Sequence, residues 1–256
     1  MKVKILKNIV VVTPTIGSKK LVDAVNSVKN QDYKNVQHLL VIDGVEHLHL
    51  VNNVIDNIST YPNLNFMTLP YNVGKNGFYG HRVYAAISHL LNCDYIAFLD
   101  EDNWYDENHI SSLVDLIESD QSYDFVYSLR KIWNNDKSKN VDDCCESLGQ
   151  WPVWVAPQDQ ILSPNTLVDT SSYLFKINFL INHGHIWHHG WGADRRFFQY
   201  ATTYPGGPKA ISNGTWKHTL NYRLDGNPNS VNMEFFEQGN KKMKEYYGEY
   251  PWLTQQ

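Results

Sequence analysis

Apolar residues along this chain fall into short unbroken runs separated by stretches of helical spacing. Asn8 to Thr13 (NIVVVT) is continuous and of strand length, as a strand buried on both faces requires. Ser18 is placed to cap a helix whose apolar positions Leu21, Val25 and Val28 stand at i, i+4 and i+7. A second run, HLLVID (38–43), leads to a helical stretch around Leu50 to Ile58 and then to a short strand, LNFMTL (64–69). The turn-rich segment PYNVGKNGFYG precedes a helix carrying Val83, Tyr84, Ile87, Leu90 and Leu91. DYIAFL (94–99) is the fourth strand, and Ile110, Leu113, Val114 and Ile117 mark the next helix. This alternation predicts an α/β fold: a mostly parallel central sheet, helices on both faces, and ligands beyond the carboxyl ends of the strands.

From about Asn134 to Pro164 the pattern dissolves into polar, Trp/Pro-rich sequence, which predicts a long loop. DTSSYLFKINFL (169–180) reads as a strand and HIWHHGWGADRRFFQY (185–200) as a loop entering a helix, while the C-terminal third reads as irregular and Tyr-rich. No internal repeat is present. With 256 residues, 42% of them hydrophobic, the chain is long enough for one large core, and a single domain is expected.

Charge and composition narrow the partners. A net charge of −5 argues against a nucleic acid as the main ligand. No run approaches the length of a membrane span, and the N-terminus lacks a small-residue cleavage site, so a cytoplasmic protein is expected. Cys93, Cys144 and Cys145 are odd in number and irregularly spaced, which suits reduced thiols.

The fourth strand ends in three consecutive acids, Asp100, Glu101 and Asp102. Carboxylates clustered at a strand end repel one another unless a cation neutralises them, and hard divalent ions with oxygen ligands do so well. In an extended backbone, Asp100 and Asp102 point to the same side. A solvated turn capping the next helix through Asp106 is the plainer alternative.

The order VVVTPTIG, helix, HLLVIDG, NVGKNGFYGHR, YIAFLDEDNWYDENHISSLV resembles the nucleotide-sugar-binding half of a GT-A fold glycosyltransferase, most similar to glycosyltransferase family 2. The resemblance covers about Val10 to Leu116, with a weaker echo at Asp169 to Phe198. It implies a nucleotide-sugar-binding half over 1–130 and an acceptor-binding half over 131–256. It implies that Thr13, Pro14 and Thr15 line the nucleotide, that Asp43 contacts the base and that Arg82 lies beside it. It further implies that Asp100, Glu101 and Asp102 form a DxD motif holding the donor diphosphate through Mn2+ or Mg2+. A carboxylate at Asp43 can accept the imide N–H of uracil, which favours a UDP-sugar. Gly44 stands where the family usually has a second acid, and Asp-Gly is equally a turn dipeptide. Gly74, Gly77 and Gly80 let backbone approach a ligand but do not form a G-x-G-x-x-G fingerprint.

HHGWGADRRFF resembles the family segment whose acidic pair supplies the general base; Ala193 replaces the first acid and Asp194 remains as the candidate. Asp169 and Asp159 are the next choices. His218 is a candidate third metal ligand by the same resemblance. His183, His185, His188 and His189 lack the spacing of a zinc site. Trp151, Trp154, Trp187 and Trp191 offer flat faces for a sugar ring, and Trp151, Trp154 and Trp191 are assigned to the acceptor pocket. The expected activity is metal-dependent, inverting transfer of a sugar to a hydroxyl of a glycan or glycolipid. A nucleotidyltransferase would also use paired aspartates, but TPTIGSKK has one glycine where a triphosphate loop needs several. A non-catalytic sugar-binding module is the remaining alternative.

Overall fold

The computed structural model of the protein describes residues 6–56, 58, 60–151, 166–227 and 230–253. Its first four apolar runs are strands: β1 (Ile9–Thr15), β2 (Val36–Ile42), β3 (Leu64–Thr68) and β4 (Tyr95–Phe98). β1 pairs parallel with β2 and β4, and β2 pairs parallel with β3. Alternate residues of β1 enter two cores. Ile9 and Val11 pack against α1 (Leu21–Lys29), α2 (Leu48–Ile55) and α4 (His109–Ser119). Val10 and Val12 belong to a second core with α3 (His81–Ala86), α5 (Ile177–His183), α6 (Ala193–Thr202) and α7 (Met233–Tyr247). Burial on both faces is why β1 and β4 read as continuous runs, whereas β3, with Asn65, Phe66 and Thr68 exposed, is a sheet-edge strand.

The sheet continues through the second half of the chain. β4 pairs antiparallel with β8 (Tyr173–Lys176), β8 antiparallel with β6 (Phe125–Trp133), and β6 parallel with β9 (Ser212–Arg223). β5 (Trp104–Tyr105) closes on β9, and β7 (Asn140–Asp142) pairs with β6. The order is β3-β2-β1-β4-β8-β6-β9-β5, and β1 to β4, β6 and β9 share one direction, so the sheet is mostly parallel among the described residues.

Three details differ from the pattern read in the sequence. Asp169 to Leu180 is a 3-10 turn at Thr170–Ser172, then the four-residue β8, then α5, because Asp169 accepts the Ser171 N–H and turns the chain before the strand begins. The C-terminal third is ordered by β9 and α7; β9 reads as irregular because polar residues alternate along it, several of them buried. Ser18 lies three residues before the first residue of α1, whose cap position is Lys20, and accepts the Lys20 N–H at 3.2 Å. Cys93, Cys144 and Cys145 are free thiols. No helix among the described residues is long and apolar enough to cross a membrane.

Candidate active site

β1, β2 and β4 end on the same edge, and loops from that edge hold the candidate residues. After β4 the chain turns, with Asn103 N–H donating to Asp100 O at 3.2 Å. The three acids of the turn do three different things. Asp100 accepts the Tyr84 hydroxyl at 2.8 Å. Glu101 points back to the β1 loop, accepting Thr15 Oγ1–H at 2.5 Å and Ser18 N–H at 3.1 Å, so it braces that loop. Asp102 is more open, with Lys20 Nζ at 4.0 Å. Asp106 pairs with Lys131 at 2.6 Å, and Asn108 takes the cap position of α4.

Burial pushes the Asp100 carboxyl up to about 8, reinforced by the charges of Asp169, Asp102 and Asp194. Burial likewise raises Glu101 and Asp102. Asp194, in the first turn of α6, is pushed up to about 6 by burial and by Asp169, although its Oδ1 accepts the Arg195 N–H at 2.7 Å. Residues 94 positions apart in sequence, Asp100 and Asp194, therefore share one electrostatic environment.

Beside these acids lies a second carboxylate cluster built on Arg130 of β6, which is 4% exposed. Its Nε donates to Asp143 at 2.8 Å, Nη1 to Asp169 at 2.6 Å, and Nη2 to Glu146. Asp143 also accepts the N–H groups of Cys145, Glu146 and Ser147. Burial raises Asp143, but Arg130 and these amides outweigh it and hold the carboxyl below its ordinary value.

The other expected residues are distributed unevenly. Thr13 is buried, and its hydroxyl lies 2.9 Å from His38 Nε2 inside the sheet. Pro14 faces Gly80 closely. Asp43 accepts Val73 N–H at 2.7 Å and Gly74 N–H at 2.9 Å, so its carboxylate holds the 73–80 loop. A Cβ at Gly74 would stand 2.3 Å from Tyr79 O and 2.7 Å from Asp43 Oδ2, which requires glycine there. Gly44, at φ 111°, completes the Asp-Gly turn. Arg82 donates to Val73 O at 3.0 Å and lies over the Phe78 ring at 3.5 Å.

His218 is set against Asp142, Asp143 O and Cys144, rather than against Asp100 or Asp102. Trp151 packs in the aromatic core with Trp216, Tyr247 and Trp252. Trp187 is buried and stacked on Phe197. Trp191 is 82% exposed, three residues before Asp194. Trp154 and Asp159 lie outside the described residues. Sequence reasoning missed Lys20, Arg130, Ser171 and Arg223; the Asp-Thr-Ser-Ser turn signal was available, but its partners are distant in sequence.

Among the described residues, no group of three or more His, Cys, Asp or Glu side chains is arranged to enclose a metal ion. A divalent ion held by two carboxylates, with phosphate and water completing its shell, fits this donor set. Burial, with neighbouring carboxylates, raises Asp100 and Asp102 and so favours their neutral forms, with Lys20 4.0 Å from Asp102 acting the other way.

A family model described as "Glycosyl transferase family 2" matches residues 10–200. No curated protein matches the chain. Among solved structures, S. aureus TarS 1-349 superposes with a TM-score of 0.58 at 18% identity, covering 84% of this chain and 60% of that one. The same protein in complex with UDP-GlcNAc gives 0.58 at 16% identity, covering 90% and 64%. A mannosyltransferase, PcManGT from Pyrobaculum calidifontis, in complex with GDP-Man and Mn2+, gives 0.57 at 11% identity, covering 88% and 59%. This chain thus spans 59–64% of the length of these structures, and the likeness is one of fold.

Proposed function

The chain belongs to glycosyl transferase family 2, and from that membership we propose that it moves a sugar from a UDP-sugar to a hydroxyl of a glycan or glycolipid by a metal-dependent, inverting mechanism. The observation that supports this proposal is that Asp100, at the end of β4, feels the charges of Asp102 and of Asp194 on α6, and that all three carboxyls are raised. Neighbouring structures hold UDP-GlcNAc, UDP, or GDP-Man with Mn2+, which supports a nucleotide-sugar donor.

Asp102 and Asp100 would hold Mn2+ or Mg2+, and such an ion supplies positive charge to a departing diphosphate. Pro14, Thr15, Asp43 and Arg82 border the nucleotide, with Asp43 shaping the base side through the loop it holds. The acceptor oxygen attacks the anomeric carbon from the face opposite the diphosphate. One C–O bond forms, the bond to the diphosphate oxygen breaks, and the acceptor proton passes to the Asp194 carboxylate. A carboxyl titrating at about 6 is ionised at neutral pH yet more basic than an ordinary aspartate, which suits a general base. The exposed Trp191 ring, three residues before that base in sequence, offers an acceptor sugar a flat apolar face.

The testing experiment is a screen of nucleotide sugars for Mn2+-dependent nucleotide release, with and without glycan and glycolipid acceptors. Release from a UDP-sugar that an acceptor stimulates is the expected result. A folded protein that binds glycans without turning over any nucleotide sugar contradicts the proposal.

A further inference from the structure

The turn that carries Asp100 and Asp102 is shaped from the far half of the chain. Ser171, fully buried, accepts the Asp100 N–H through Oγ at 3.0 Å and lies 3.4 Å from Asn103 Nδ2. Asn103 Oδ1 accepts the Arg223 N–H of β9 at 3.0 Å, so both ends of the turn are tied. Ser171 is itself fixed, because its N–H donates to Asp169 Oδ1 at 2.9 Å while Asp169 Oδ2 receives Arg130 Nη1 at 2.6 Å. The Asp169 N–H donates to Ser147 Oγ at 2.9 Å. Arg130 is held in turn by Asp143 and Glu146. Asn103, Arg130, Asp169 and Ser171 are all buried, so each bond lies where a lost partner leaves a polar group away from water.

We infer that Arg130, Asp169 and Ser171 are positioning residues that fix the Asp100–Asn103 turn, and with it the placing of Asp100 and Asp102 towards the donor. The path is a contiguous chain of hydrogen bonds from β6, through the 3-10 turn before β8, to the strand end. In the proposed reaction its members act through the turn. The Asp169 charge also bears on both Asp100 and Asp194, so the same anchored carboxylate faces the donor side and the base side of the site. The consequence for the donor rests on the proposed glycosyltransferase activity, whereas the consequence for the turn does not.

Two variants and two readouts test this. Ser171→Ala removes the acceptor of the Asp100 N–H. Asp169→Asn keeps an oxygen for the Ser171 N–H but removes the charge that Arg130 holds, and it serves as the second variant if Ser171→Ala does not fold. UDP is titrated into each full-length protein with and without Mn2+, and amide exchange at Asp100 is followed by NMR. Ser171→Ala is expected to weaken Mn2+-dependent UDP binding about tenfold and to speed Asp100 exchange by a similar factor, leaving metal-independent UDP binding unchanged. Asp169→Asn is expected to change both in the same direction by about threefold. If the unmutated protein shows no Mn2+-dependent UDP binding, the donor proposal fails, and the exchange measurement alone decides the positioning role. Unmutated Asp100 protection in the folded variants overturns the inference.

Discussion

Around Arg130, Asp143, Asp169 and Glu146 share one guanidinium, and backbone amides supply further donors to Asp143. At the end of β4, Asp100, Asp102 and Asp194 have Lys20, at 4.0 Å from Asp102, as their ion pair among the described residues. The two clusters lie side by side, yet Asp143 is held below its ordinary value while Asp100 and Asp194 are pushed up to about 8 and about 6. Burial raises all of them; at Asp143 the Arg130 guanidinium together with backbone N–H groups outweighs it, whereas Glu146, paired with the same Arg130, stays raised, as do Asp100 and Asp194. The first cluster holds its cation within the protein. The second has one weak ion pair among the described residues, which suits the proposed binding of a cation there.

The largest expected effect comes from Asp194. Asp194→Asn should lower kcat about 10²–10⁴-fold with donor binding nearly intact, as measured by steady-state kinetics and UDP titration on one sample. In the unmutated enzyme, kcat/KM should rise with pH through about 6, as the carboxylate forms. The sign for stability is opposite. A carboxyl whose folded value is raised above 3.8 favours the folded state at low pH and costs stability as pH climbs through about 6. Asp194→Asn should therefore melt no lower than the unmutated protein at pH 7.5, and a clearly lower melting temperature would assign Asp194 to structure.

Breaking the paired cluster should do the reverse. Arg130→Met leaves Asp143 and Asp169 buried without their cation and Glu146 with the more distant Arg195, and should cost about 3–5 kcal/mol in denaturant unfolding. A variant as stable as the unmutated protein would erase the distinction between the clusters.

The smallest effect belongs to Asp43. Asp43→Ala frees the Val73 and Gly74 amides and should cost about 1.5–3 kcal/mol of binding energy, shared by UDP and CDP because the loop is what loosens. A loss confined to UDP in paired titrations would instead show a direct contact with the uracil imide.

β1 and β4 were legible because strands buried on both faces are apolar along their length, and β2 and β3 because short apolar runs follow stretches of helical spacing. β9 was not, since SNGTWKHTLNYR mixes Lys, His and Asn with its buried positions, and its partner β6 begins 87 residues earlier. Asp100, Asp102 and Asp194 were singled out by motif and resemblance, and in the structure the charges of the other two act on Asp100. The roles of Glu101 and Asp43 as braces were not, because an acid that binds backbone and an acid that binds a ligand look alike in sequence. Ser171 and Arg130 stayed hidden for a related reason: their partners lie 71 and 39 residues away.

The central claim is that the acids at the end of β4 are left uncompensated in order to hold a donor-bound cation. Calorimetric titration of UDP into the unmutated protein and Asp102→Ala, each with and without Mn2+, tests it most directly. The account predicts that Mn2+ tightens UDP binding to the unmutated protein and that Asp102→Ala abolishes the tightening while still folding. Unchanged UDP affinity in Mn2+ for folded Asp102→Ala would contradict it.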